Sequence, residues 1–339
     1  MQRCLQLAQK GLGKTYPNPL VGCVIILDGK IIGEGWHQKA GEAHAEVNAI
    51  HTVKDKTSLS KATLYVNLEP CNHHGKTPPC VDLLIKHQIK RVVVGSVDPN
   101  PLVAGKGIHR LRKSGCEVTT HILLEECDSL NKRFFTFHRK KRPYILLKWA
   151  ESKEGFIAPP KNEQQRNVFW LSDSFSQQRV HQWRSEEQAI MVGINTVKAD
   201  NPTLNVRKWT GNNPIPVILD PQAKLNESDQ LYQIKRNLHI TTSEVAISEI
   251  GNIFDRSRLL EYLYQKNIQS LLIEGGAYTL QHFLDTDCWD EIKLLKTNSE
   301  LKKGIKAPHI DRIPSKVIPL AADELWHFSK VDSKLQTTL

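Results

Sequence analysis

Val21-Gly22-Cys23-Val24-Ile25-Ile26-Leu27-Asp28-Gly29-Lys30-Ile31-Ile32-Gly33-Glu34-Gly35-Trp36-His37 reads as a β-hairpin. Residues 21–27 are an unbroken apolar strand, Asp28-Gly29 makes the turn, and residues 31–36 return. Gly33 and Gly35 in the returning strand imply a bulge or the close approach of another group. Upstream, Cys4, Leu5, Leu7, Ala8 and Leu12 form one apolar face of a helix over about residues 2–12. Downstream, a helix opens at Glu42-Ala43-His44 and runs to about Val53, with Val47, Ala49 and Ile50 inward. Strands follow over 62–68 and 91–95 and near 117–120, with helices over about 80–87, 105–114 and 123–136. A hairpin followed by alternating strands and helices predicts an α/β sandwich with a mixed sheet.

The pattern restarts after Lys141-Arg142-Pro143, with strands over 144–149, 189–193, 216–219, 239–242, 271–274, 290–295 and 324–328. Helices are expected over 172–184, capped by Ser172 or Asp173, and over 278–284. This is a second α/β domain with a largely parallel sheet. A chain of 339 residues is long enough for both cores, and we place the domains at 1–142 and 143–339. The basic run His138-Arg139-Lys140-Lys141-Arg142 is read as the linker.

Composition narrows the function. No apolar run approaches the roughly 18 to 20 residues of a membrane span. Met1-Gln2-Arg3-Cys4-Leu5 does not begin a signal peptide, so a cytoplasmic location is expected. Seven irregularly spaced cysteines do not make a disulfide scaffold; Cys4, Cys23, Cys116, Cys127 and Cys288 read as buried or incidental thiols. The formal charge of +10 suits nucleic acid or a phosphorylated small substrate. Because the basic residues are scattered, the small substrate is preferred.

Two stretches carry chemistry. His44-Ala45-Glu46 offers a nitrogen ligand and a carboxylate, and Cys71 and Cys80 offer two thiolates nine positions apart. One histidine and two cysteines leave the fourth position of a zinc ion open, as catalytic zinc requires. Glu46 then suits a proton carrier for zinc-activated water. In the second half no G-x-G-x-x-G is present, and Glu274-Gly275-Gly276, closing a strand before a helix, is a possible turn for dinucleotide phosphate.

Residues 1 to about 142 resemble the cytidine-deaminase-like zinc deaminases. More narrowly, they resemble the deaminase half of the bifunctional riboflavin-biosynthesis deaminase/reductases. The resemblance rests on Pro17-Asn18-Pro19-Leu20-Val21-Gly22-Cys23-Val24, Gly35-Trp36-His37, His44-Ala45-Glu46, Glu69-Pro70-Cys71-Asn72-His73-His74-Gly75-Lys76-Thr77-Pro78-Pro79-Cys80 and Asp98-Pro99-Asn100-Pro101. The long Cys71-to-Cys80 spacing belongs to this branch, where the nucleic-acid-editing branch mostly carries Cys-x-x-Cys. The resemblance implies hydrolysis of the 2-amino group of a phosphoribosylated diaminopyrimidinone. Zinc would be held by His44, Cys71 and Cys80, with Glu46 catalytic and Asn18, His37, His73, Lys76, Asp98 and Asn100 at the substrate.

Residues from 144 to about 330 resemble the reductase half of the same enzymes, which is related to dihydrofolate reductase and uses NADPH. The matching stretches are Leu147-Lys148-Trp149-Ala150-Glu151-Ser152, Trp170-Leu171-Ser172, Arg184, Glu274-Gly275-Gly276 and the run from Gly193-Ile194-Asn195-Thr196 through Asp200-Asn201-Pro202-Thr203-Leu204-Asn205-Val206-Arg207. They imply substrate contacts from Arg184, Leu204, Arg207 and Glu274, and cofactor contacts from Ala150, Trp170, Thr196, Asp200, Gly275 and Gly276. The chain departs from the family pattern at Val168, at Glu154-Gly155 and at Lys296-Thr297-Asn298-Ser299-Glu300.

The expected architecture is therefore a cytidine-deaminase-like three-layer α/β/α domain followed by a dihydrofolate-reductase-like α/β domain. The expected partner is a phosphorylated pyrimidine, with no membrane and no nucleic acid, and the chain is expected to self-associate as a homo-oligomer. The competing reading is a nucleic-acid or nucleoside deaminase with a non-catalytic C-terminal domain. It predicts a Cys-x-x-Cys pair and leaves the 196–207 motif without a task.

Overall fold

A computed structural model describes residues 1–73, 78–100, 103–160, 169–243 and 255–330. The chain divides into two compact units, Met1–Lys141 and Arg142–Leu339. Lys76, His74 and Val168 lie outside the described residues.

In the first unit, helix α1 (Gln2–Gln9) precedes the hairpin of β1 (Gly22–Leu27) and β2 (Lys30–Trp36). Asp28 and Gly29 both have positive φ, 49° and 75°, the geometry that matches a two-residue turn to strand twist. Then come α2 (Ala45–Thr52), β3 (Thr63–Leu68), α3 (Cys80–Lys86), β4 (Arg91–Ser96), α4 (Lys106–Lys113), β5 (Glu117–Thr119), α5 (Leu124–Leu130) and α6 (Lys132–Lys140). The sheet order is β2-β1-β3-β4-β5. The pairs on either side of β1 are antiparallel, and β3-β4 and β4-β5 are parallel. This is the expected mixed sheet.

Both readings of the two glycines hold. The register shifts between Ile25 and Ile26, and a Cβ on Gly35 would stand 2.5 Å from the Ala49 nitrogen. Only a bare backbone lets α2 lie this close to β2, and that contact places the start of α2 at the sheet's end. Cys23, Ile25, Ala49, Leu64, Val66, Val81, Leu84, Val92 and Val94 fill the core between the layers. Each large aliphatic side chain there contributes about 1.5 to 3 kcal/mol.

Several expectations need correction. Helix α1 stops at Gln9 and gives way to turns over residues 10–14, within which Gly11 packs so close to the His37 carbonyl that a Cβ would come within 2.8 Å. Val47 is only half-buried; α2 turns Ala45, Glu46, Ala49 and Ile50 inward instead. The helix expected over 123–136 is two helices that meet at Asn131. The Asn131 side chain accepts the Leu20 N–H at 2.8 Å and donates to the Leu20 carbonyl at 2.9 Å. The basic run is not a linker: His138, Arg139 and Lys140 form the last turn of α6, which is anchored by buried Phe134, Phe135 and Phe137.

The second unit runs β6 (Tyr144–Glu151), β7 (Phe156–Ala158), α7 (Ser174–Glu186), β8 (Ala189–Gly193), α8 (Ile194–Asp200), β9 (Ile215–Leu219), β10 (Leu238–Ile240), α9 (Arg256–Gln265), β11 (Ser270–Ile273), α10 (Ala277–Asp285), β12 (Glu291–Lys296), β13 (Ile305–Lys306), β14 (Lys316–Leu320) and β15 (Asp323–Ser329). Its eight-stranded sheet has the order β10-β9-β8-β11-β6-β12-β15-β14. All pairs from β10 to β12 are parallel, and β15 and β14 close the edge antiparallel.

Asp173 caps α7, its carboxylate accepting the Ser176 N–H. Helices α8 and α9 and strands β7, β13 and β14 are additions to the expected elements. Strand β14 contains Pro319, which is tolerated because the strand is an edge. The parallel neighbours β8, β11 and β6 end at Gly193, Ile273 and Glu151, so the segments that follow them gather at one end of the sheet, where open α/β sheets bind ligands. Among the described residues no helix is long and apolar enough to cross a membrane.

Candidate functional site

In the first unit, His44 is the N-cap residue of α2, Cys71 follows β3, and Cys80 opens α3 behind Pro79. The Val81 N–H donates to the Cys71 carbonyl at 3.2 Å, and the Cys80 N–H donates to the Cys71 sulfur at 3.2 Å. These two bonds hold the start of α3 against Cys71, and both sulfurs lie beside the histidine. His44 Nδ1 stands 3.3 Å from Cys80 Sγ and 3.4 Å from Cys71 Sγ.

A tetrahedral zinc with ordinary Zn–S and Zn–N bonds would separate such donors by about 3.5 Å. One imidazole and two thiols thus fit zinc in chemistry and in spacing, and all three ligand atoms lie within 4.8 Å of one another. A hydrogen bond from Cys80, with further help from the Cys80 N–H and His44, pulls the Cys71 thiol down to about 4. The Cys80 thiol is pushed up by the same shared hydrogen bond and by burial. The His44 imidazole is raised by its hydrogen bond with Cys71.

Glu46 lies in the first turn of α2, 3% exposed and close enough to interact with the Cys80 sulfur. Burial, and then the Cys71 charge, push its carboxyl up to about 7, so it can gain or lose a proton near neutral pH. His37 packs edge-on against His44 with ring centroids 5.4 Å apart. His37 Nδ1 donates to the Ala43 carbonyl at 3.1 Å, which leaves Nε2 to accept from Asn18 Nδ2 at 3.0 Å. His37, and Asn18 through it, therefore lie beside the cysteine–histidine cluster. Asp98 is buried with its carboxyl raised to about 6 by burial, and its Oδ1 accepts the Asn100 N–H at 2.8 Å. His73 is exposed.

In the second unit, Arg184 of α7 meets Glu274 after β11. Nε to Oε1 is 2.8 Å and Nη2 to Oε2 is 2.6 Å, a bidentate pair, and Nη1 donates to the Asn205 carbonyl at 3.2 Å. Burial alone would raise Glu274, but Arg184 and then Lys148 outweigh it and hold the carboxyl down at about 2. Arg184 thus directs three of its five N–H donors to protein groups. Arg207 is exposed, its guanidinium 5.7 Å from the Trp170 ring centroid and its Nη1 donating to Asn205 Oδ1 at 3.1 Å. Leu204 is buried with a φ of 50°, a strained backbone that turns the segment between α8 and Arg207. Thr196 accepts the Gly276 N–H at 3.1 Å, and a Cβ on Gly275 would stand 3.1 Å from the same hydroxyl oxygen. Thr196, Gly275 and Gly276 are therefore together. Asp200 ends α8, and Ala150 is a half-buried residue of β6.

Three residues were not singled out from the sequence. Lys148 lies in β6, a charge inside an apolar run, and that interruption was a usable signal. Burial lowers its pKa against the opposing pull of Glu274. His181 of α7 is buried and accepts the Arg207 N–H at Nδ1, 3.3 Å away; burial, then Arg184 and Arg207, push it down to about 4. Glu69 accepts four backbone N–H groups, a role that spacing alone does not reveal.

Comparison with known proteins agrees with both halves. Residues 1–96 match the family model of the cytidine and deoxycytidylate deaminase zinc-binding region. Residues 143–296 match that of the RibD C-terminal domain. The chain is 43% identical over 295 residues to the riboflavin biosynthesis protein RibD of Actinobacillus pleuropneumoniae, covering 82% of this chain and 77% of that protein. It superposes on the structure of Acinetobacter baumannii RibD with a TM-score of 0.85 at 33% identity, over 97% of each chain. A diaminohydroxyphosphoribosylaminopyrimidine deaminase/5-amino-6-(5-phosphoribosylamino)uracil reductase from Thermotoga maritima gives a TM-score of 0.81 at 35% identity, again over 97% of each. The chain belongs to the RibD family of riboflavin biosynthesis proteins.

Proposed function

We propose that this chain carries out two consecutive steps of riboflavin biosynthesis. Residues 1–142 deaminate 2,5-diamino-6-(5-phosphoribosylamino)pyrimidin-4(3H)-one by hydrolysis. Residues 143–339 then reduce the opened ribosyl group to a ribityl chain with NADPH. The observation that carries this reading is the His44–Cys71–Cys80 triangle with Glu46 buried beside it.

His44, Cys71 and Cys80 would hold one zinc ion, which when bound lowers the pKa of water and so supplies a nucleophile at neutral pH. Glu46 would take one proton from the attacking water and deliver it to the ring nitrogen, then take the proton of the new C–OH group and deliver it to the departing amine. The C–NH2 bond becomes C=O and ammonia leaves. A carboxyl with a pKa near 7 suits both halves of that transfer. Asn18 and His37 hold the pyrimidine, with Asp98 and Asn100 on the neighbouring loop. The His37 tautomer fixed by the Ala43 carbonyl leaves the Asn18 amide oriented.

In the reductase, NADPH when bound would supply the hydride. The Thr196 hydroxyl, which accepts the Gly276 N–H and keeps its own proton to donate, would meet the cofactor phosphates at the start of α10. Arg207 is the freer cation for the substrate phosphate, since Arg184 is tied to Glu274 and Asn205. Glu274 and Lys148 then face the reacting ribose end.

The test is ammonia release by the zinc-loaded protein from three substrates: the diaminopyrimidine phosphate, cytidine and a tRNA. Release from the first alone is expected. Release from cytidine or tRNA, with none from the pyrimidine phosphate, would favour the nucleoside or nucleic-acid deaminase reading and overturn this one.

A further inference from the structure

The Glu69 carboxylate, 4% exposed, sits immediately after β3 and two residues before Cys71. Its Oε2 accepts the N–H groups of Asp98 at 3.2 Å and Gly105 at 2.9 Å. Its Oε1 accepts those of Gly107 at 2.9 Å and Ile108 at 3.2 Å. A carboxylate has about four acceptor sites, so these donors fill it. They come from the segment between β4 and α4 and from the first turn of α4, where helix N–H groups have no partner within the helix.

The packing is equally close. A Cβ on Gly107 would stand 2.3 Å from the Pro70 carbonyl and 3.1 Å from Glu69 Oε1. The Glu69 N–H in turn donates to the Ser96 carbonyl at 2.9 Å. One side chain therefore ties the strand end that leads to Cys71 to the segment that carries Asp98 and Asn100.

We propose that Glu69 is a positioning residue for pyrimidine recognition: it sets the distance between the Asp98–Asn100 loop and the cysteine–histidine cluster. The inference rests on the deaminase reading given above. An amide in its place would turn an NH2 toward two of the four donors, releasing the loop without touching Glu46 or the three ligand side chains. Loss of an interaction made equally in ground and transition states raises KM and leaves kcat.

The experiment uses the zinc-loaded full chain and the variants Glu69→Gln and Gly107→Ala, the second opening the same contact from the opposite side. Deaminase KM should rise about tenfold with kcat within about threefold of wild type. Zinc content and reduction of the pre-deaminated substrate should stay unchanged. Amide exchange should quicken at Gly105, Gly107 and Ile108 while β3 and β4 stay protected. An unchanged KM, a fall in kcat alone, loss of zinc, or failure of both variants to fold would overturn the proposal. A wild-type protein that releases no ammonia overturns the deaminase reading itself.

Discussion

Arg184 and Glu274, ninety residues apart in sequence, form a two-pronged ion pair with contacts of 2.8 and 2.6 Å at the end of the second unit's parallel sheet. Both side chains are about nine-tenths buried. Removing one partner of such a pair leaves the other charge unpaired and typically costs about 3 to 5 kcal/mol. Glu274→Gln should therefore lower the thermal midpoint of the reductase unit and abolish reduction, while ammonia release persists. Arg184→Lys should also fail, because an ammonium cannot span both carboxylate oxygens. Unchanged reduction by Glu274→Gln would remove the pair from its assigned role.

Acid should weaken the same unit in two stages. His181 is held at about 4, below its ordinary 6.5, and Glu274 at about 2, below its ordinary 4.5. For both, the folded state binds protons less readily than the unfolded chain, so their contribution is complete above the unfolded values and is lost on acidification. Denaturant midpoints of the second unit should fall between pH 6.5 and 4 and again between pH 4.5 and 2. In His181→Leu the upper stage should shrink, the remainder coming from His282, whose imidazole is also held below its ordinary value by burial. A midpoint that rises with acid through the upper window would contradict the assignment.

Glu46→Gln should separate proton transfer from metal binding. The amide keeps the shape of the buried side chain but cannot carry the proton. Ammonia release should fall by about 10² to 10⁴, with zinc content and NADPH-dependent reduction of pre-deaminated substrate intact. Retained deamination would show that another group moves the proton.

Cys71→Ser should lose the metal along with the activity, since the site then has one thiolate fewer. Zinc uptake by the wild-type apoprotein should release protons, because the ligands must be deprotonated. Metal analysis, together with pH-stat titration of zinc into wild type and variant, checks this. Full zinc content in the variant would mean that the ligand set has been misassigned.

Residue type and spacing singled out His44, Cys71 and Cys80, whose ligand atoms lie within 4.8 Å of one another, and Glu46, which is buried in the first turn of α2. The hairpin and its two glycines were equally legible, because turn geometry and close approach leave few residue choices. Features set by distant partners were not. The break between α5 and α6 depends on Leu20, 111 residues from Asn131. Glu69 looks like any motif residue until the segment before α4 folds onto it, and His181 until Arg207 is brought beside α7. Lys148 stood in an apolar run, but its meaning required β6 to pair beside β11 so that Glu274 could face it.

If one chain performs both reactions in sequence, ammonia release and NADPH oxidation are linked on a single substrate. Ammonia and NADPH oxidation should be measured together on the diaminopyrimidine phosphate with the zinc-loaded protein. About one ammonia and one NADPH are expected per substrate consumed, with ammonia alone when NADPH is withheld. NADPH oxidation without ammonia release, or ammonia that never leads to NADPH oxidation, would contradict that link.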